Sequence, residues 1–268
     1  MIETIFDFDF SRWNDILLSL VPALINAGIF LYISFFLPQN RTNNSFSIFV
    51  LLVGLWQTAE GFARMSVTAA AAFEWNKISE VVLLLVIPFG LLFILHFSEW
   101  HKKILNNLVF PLLFLPSITL LFFVIARLDK FTVVKSEQWH WIVNPEPTFI
   151  TSLIYIWIAV GALLMLALPW LFYATAKKND LKRKQSLLLA LGFTLPVIIG
   201  IIVEIIFPLV FGLDDVPVAA TLVTVFSITA LVAITKYKML DFSPVRAFSG
   251  IMENIDEGIT IVNNEDVI

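Results

Sequence analysis

Seven stretches of nearly unbroken apolar character alternate with polar connections along the chain, at 17–37, 46–70, 78–97, 105–126, 149–176, 187–213 and 216–234. As helices rising about 1.5 Å per residue, stretches of roughly twenty residues cross a hydrocarbon core of about 30 Å. Such helices satisfy their own backbone in lipid, whereas the alternating segments of about ten residues that a membrane barrel needs are missing. The pattern predicts an all-α integral membrane protein, a seven-transmembrane helix bundle. Composition agrees, with 59% hydrophobic and 14% charged residues, a balance that excludes a soluble globular domain.

Basic residues resist translocation, so their distribution over the short connections sets the orientation. Arg41, Lys102, Lys103, Lys177, Lys178, Lys182, Arg183, Lys184, Lys236, Lys238 and Arg246 fall on one side; Arg12, Arg64, Lys77, Arg127, Lys130 and Lys135 fall on the other. This places the C-terminus in the cytoplasm and the acidic N-terminal segment, with Glu3, Asp7, Asp9 and Asp15, outside. Trp13, Trp75, Trp100, Trp139, Trp141 and Trp170 lie near segment ends, the headgroup level that indole rings prefer. The expected location is the cytoplasmic (inner) membrane, crossed several times. An acidic opening and a full-length first apolar run predict a first helix that is retained, not a cleaved signal.

Proline occurs inside the spans at positions 88, 111, 116, 169, 196 and 208, where it frees carbonyls and permits kinks. The connection over 127–148 is long enough for a small cap or hairpin over the mouth of the bundle. The basic run 177–184 reads as a cytoplasmic loop in contact with anionic lipid, not as a nucleic-acid patch. The triplets beginning at Asn40 and Asn43 fit a glycosylation pattern by chance, since they fall on the cytoplasmic side.

Ionisable groups at membrane depth are costly unless paired or hydrated, which makes them the sharpest local signal. Glu60, Arg64 and Glu204 qualify. Glu60 and Glu204 stand roughly 21 and 25 Å from the cytoplasmic ends of their helices, in the outer half. Glu60 and Arg64 are spaced to meet on one helix face, and Trp56 lies one turn before Glu60 on that face. The functional reading is a polar pocket open to the outside, walled by Trp56. The competing reading is a buried ion pair that fixes helix register. Glu80, near the outer mouth of the third helix, stays ambiguous between the pocket and solvent. The 26 phenylalanines would suit an amphiphilic ligand, but read first as lipid-facing filler.

No catalytic constellation emerges. His96, His101 and His140 lack metal-ligand spacing, no phosphate-cradling glycine loop occurs, and no cysteine is present, which removes thiolate chemistry. No cofactor is expected. A retinal protein would need a lysine within a late span, and the spans as drawn contain none. A small-solute or proton-coupled transporter is the alternative to a sensor, since intramembrane carboxylates also mark ion paths, but no inverted repeat supports it.

After the last span, Ser243-Pro244 starts an amphipathic helix with Val245, Phe248, Met252 and Ile255 on one face. Gly258 ends it, and Ile259 to Val262 reads as a strand. The second span (Phe49 to Trp56), Pro88, Leu195-Pro196 and the run Lys236 to Val245 resemble the N-terminal seven-transmembrane sensor region of bacterial sensor histidine kinases. Ile255 to Asn263 resembles the opening of a PAS domain.

The resemblance implies three parts: a seven-transmembrane sensor over 1–240, a cytoplasmic linker helix over 241–258 and the first strands of a PAS domain over 259–268. It further implies that the chain continues beyond Ile268 into a histidine kinase, or alternatively a diguanylate cyclase. The partners expected are a small-molecule or lipid-like ligand, membrane lipids, a second copy of the full-length protein and a response regulator, but no nucleic acid.

Overall fold

The computed structural model describes residues 5–98, 106–127, 131–136, 140–176, 181–200, 202 and 218–236. In chain order these form α1 (Trp13–Phe36), α2 (Arg41–Met65), α3 (Ala69–Ser98) and α4 (Asn106–Ile125). There follow the hairpin strands β1 (Phe131–Ser136) and β2 (His140–Pro145), then α5 (Phe149–Thr175), α6 (Leu181–Gly200) and α7 (Ala219–Lys236). Among the described residues, α1, α2, α3 and α5 are long and apolar enough to cross a membrane, and α4 and α7 contain the shorter apolar helices Phe110–Ile125 and Thr221–Ala233. Glu204, Pro208 and everything from position 237 onward, including the linker helix and the PAS start, lie outside the described residues.

Caps and competing partners explain where the helices differ from the apolar pattern. Asn40 accepts from the Asn43 amide at 2.8 Å, so α2 starts at Arg41, five residues before the apolar run. At its other end the N-terminal segment intervenes. The Asp9 amide donates to the Met65 carbonyl at 2.8 Å, the Val67 amide to the Asp7 carbonyl at 3.1 Å, and Phe8 bridges Ser66. These bonds occupy backbone groups that a continuing helix would need. Thr68 then accepts from the Ala71 amide at 3.2 Å and α3 begins.

The second segment therefore ends at Met65 instead of position 70, and the third begins at Ala69 instead of 78. Lys77 consequently lies within a helix, contrary to the spans as drawn. Likewise α6 begins at Leu181, which puts Lys182, Arg183 and Lys184 on a helical first turn and not in a loop. There the Arg183 guanidinium lies 4.7 Å from the Tyr173 ring centre, a cation–π geometry.

The core is built around α2. Phe46 and Phe49 on α2, Phe93 on α3, Phe193 on α6 and Phe226 on α7 are buried in one apolar cluster. The rings of Phe193 and Phe226 stack at 3.7 Å, and those of Phe46 and Phe93 meet at 4.7 Å. These phenylalanines hold the bundle together, while Phe35, Phe36 and Phe122 are exposed on its outer surface, so only some are lipid-facing filler. Backbones approach closely where glycine allows it. A methyl group at Gly161 would collide with Ile87, and one at Gly192 with Thr229.

The hairpin pairs antiparallel, Phe131 opposite Pro145 through Ser136 opposite His140. It is anchored by the Trp141 indole, which donates to the Ser66 carbonyl at 2.7 Å, and by Phe131 stacked on Phe73 at 4.7 Å. The Trp75 indole donates to the Ile5 carbonyl at 3.0 Å. N-terminal segment, α2–α3 turn and hairpin thus gather at one end of the bundle. At the opposite end His96 and Ser45 share a hydrogen bond of 3.1 Å.

Candidate functional site

Beneath the hairpin lies a cavity of about 190 Å³. Trp56 and Glu60 form its α2 wall, Asn76, Ser79 and Glu80 its α3 wall, and Thr151 and Tyr155 its α5 wall. Phe131, Val143 and Pro145 of the hairpin also line it. Each contribution follows from local structure. Trp56 and Glu60 share a face because they are four apart on one helix, and both line the cavity. Asn76, Ser79 and Glu80 follow the three- and four-residue spacing of a helix face in the same way, and the hairpin is held over them by Trp141.

Charge is arranged in two layers. The Glu60 and Glu80 carboxylates line the cavity, and their cations are not among its lining residues. Arg64 bonds Glu60 at 2.9 Å and reaches the Ser19 hydroxyl of α1 at 3.3 Å, and it is itself buried. Lys77 stands 3.6 Å from Glu80, with its ammonium 4.5 Å from the centre of the Phe131 ring. The cavity therefore presents carboxylates, neutral polar groups and aromatic surface.

Of the residues singled out from sequence, the structure brings Trp56 and Glu60 together at the cavity and turns Arg64 away from it, towards α1. Glu204 lies outside the described residues. Glu80 joins the cavity wall. Tyr155 and Thr151 escaped the sequence reading because nothing in an apolar helix marks which hydroxyl faces inward. Phe131 and Val143 escaped it because their role depends on where the hairpin docks.

A second polar cluster occupies the helix interior. The two N–H bonds of the Asn26 side chain are shared among Gln57 and Thr224 oxygens, both at 2.9 Å, and the Pro22 carbonyl at 3.1 Å. Gln57 donates to Thr224 at 2.7 Å. These three buried side chains join α1, α2 and α7, and Thr221 adds a bond to the Leu18 carbonyl. Gln57 is the neighbour of Trp56, so one turn of α2 touches both the cavity and α7. Among the described residues no group of three or more metal-ligating side chains occurs.

A family model described as the N-terminal 7TM region of histidine kinase matches residues 18–244. A search of curated proteins gives no match.

Proposed function

For a chain that belongs to the N-terminal seven-transmembrane region of histidine kinases, we propose a receptor role: the cavity beneath the hairpin takes up a ligand from outside the cell and α7 carries the response inward. In this reading the polypeptide crosses the inner membrane seven times, with the hairpin end outside and the C-terminus cytoplasmic. The observation that supports it best is the cavity itself, with Trp56, Glu60 and Glu80 in its wall at the end of the bundle where the basic residues are fewer.

A ligand shifts a conformational equilibrium only through differential affinity, so the cavity must differ between two packings of the bundle. Trp56 and Gln57 supply the route: one lines the cavity, and its neighbour bonds Thr224 on the helix that leads to the linker at 241–258. Glu60 and Trp56 meet the ligand, Arg64 holds Glu60 in place, and Glu204 is assigned to the same outer polar region. The output is a PAS-coupled histidine kinase, dimeric in the full-length protein, that phosphorylates a response regulator.

The test is autophosphorylation of the full-length kinase in nanodiscs. Leu83 also lines the cavity from α3, so Leu83→Trp, which fills it, should fix the output in one state; a variant that folds and responds like wild type would overturn the proposal. Inserting residues after Asp241 should rotate the output by about 100° per residue, with partial recovery near four. Output indifferent to every insertion would remove the mechanical route. Gradient-driven solute uptake in proteoliposomes would favour a transporter instead.

A further inference from the structure

We infer that the cavity beneath the hairpin accepts a small organic cation, a protonated amine on a compact apolar body. The inference rests on the receptor reading above and names its ligand class. Three features of the lining select this chemistry.

First, charge. Glu60 and Glu80 line the wall, while among the described residues no lysine, arginine or histidine lines it. An anion would meet two carboxylates at the wall, and like charges brought together across an interface repel. The partner cations do not cancel this preference. Arg64 reaches towards Ser19 of α1, and Lys77 is held between Glu80 and the Phe131 ring. Each therefore steadies its carboxylate from outside the lining.

Second, surface. Trp56 and Tyr155 line the same space, and aromatic faces attract an ammonium group and pack against the carbon body that carries it. Asn76, Ser79 and Thr151 add acceptors that can share the remaining ammonium protons.

Third, size. At about 190 Å³ the cavity lies below the roughly 300–1,000 Å³ of sites for drug-sized ligands. A bare divalent ion is a poor match, because hard cations take six or more oxygen ligands and this wall is largely apolar.

The experiment is calorimetric titration of the chain in nanodiscs with phenethylammonium, cyclohexylammonium and isobutylammonium, against empty nanodiscs. Phenethyl alcohol and hydrocinnamate serve as neutral and anionic counterparts of the first probe. The expected result is saturable binding of at least one ammonium probe, with its counterparts weaker by about tenfold or more, an energy difference of about 1.4 kcal/mol. Glu80→Gln should weaken that binding by a similar factor at an unchanged thermal midpoint. Tyr155→Phe, which removes only a hydroxyl, should leave most of it.

Saturable binding by none of the three ammonium probes overturns the inference, as does equal binding of the alcohol. Unchanged affinity in a folded Glu60→Gln, Glu80→Gln double variant does the same. The receptor reading fails separately. If no ammonium binds but Leu83→Trp still locks the kinase, the ligand class falls and the receptor stands. If an ammonium binds while kinase output ignores both it and Leu83→Trp, the site stands and the receptor reading falls.

Discussion

Two polar clusters sit back to back on α2, and they differ in what their polar groups bond to. Asn26, Gln57 and Thr224 bond one another, and Asn26 also reaches the Pro22 carbonyl. Glu60 and Glu80 each pair with a cation that is not among the cavity's lining residues, and themselves line the cavity. Both arrangements keep polar atoms in apolar surroundings, where an unmet group costs about 1–3 kcal/mol. The first joins three helices; the second lines a cavity. Trp56 and Gln57 are adjacent in sequence but belong to different clusters, which makes α2 the element able to relate them.

The largest effect that tests this contrast is expected at Arg64, which secures the cavity side to α1. Arg64→Ala strands the Glu60 carboxylate and should destabilise the chain by about 3 kcal/mol. Glu60→Gln, which keeps an acceptor for Arg64, should cost about 1 kcal/mol. Equal unfolding midpoints in a denaturing-detergent titration would dissolve the proposed pair.

Next comes the close approach of α6 and α7. Gly192→Val drives a side chain into Thr229 and should cost about 2 kcal/mol by overpacking. The same titration checks it, and a wild-type midpoint would mean that α7 is held more loosely than its contacts indicate.

Smaller again is the loss at the closed cluster. Gln57→Leu should cost about 1 kcal/mol, the scale of interhelical hydrogen bonds in membranes. It should also uncouple kinase output from the ligand while leaving ligand affinity unchanged. Altered affinity with intact output would reverse the roles assigned to the two clusters.

The smallest stability change is expected at Glu80→Gln, within about 0.5 kcal/mol, because its pair with Lys77 is long at 3.6 Å and glutamine keeps an acceptor for it. A drop as large as that of Arg64→Ala would show Glu80 to be a structural residue instead of a recognition group.

The sequence by itself determined that the chain is a membrane protein built from apolar helices, since 59% hydrophobic content and runs of about twenty residues allow no other economical structure. It also determined that Glu60 can meet both Trp56 and Arg64, because helical spacing brings residues four apart together on one face. Tertiary structure decided the rest. The second helix stops at Met65 because a distant segment, Asp7 to Asp9, takes its backbone hydrogen bonds, which local pattern does not encode. Arg64 turns to α1 because Ser19 offers it an acceptor, a fact of packing between helices. The cavity likewise draws on α2, α3, α5 and the hairpin, so its lining exists only once Trp141 has anchored the hairpin to the Ser66 carbonyl. Periodicity reports which residues share a face, whereas only packing fixes which face meets which, and a binding site is made at that second level.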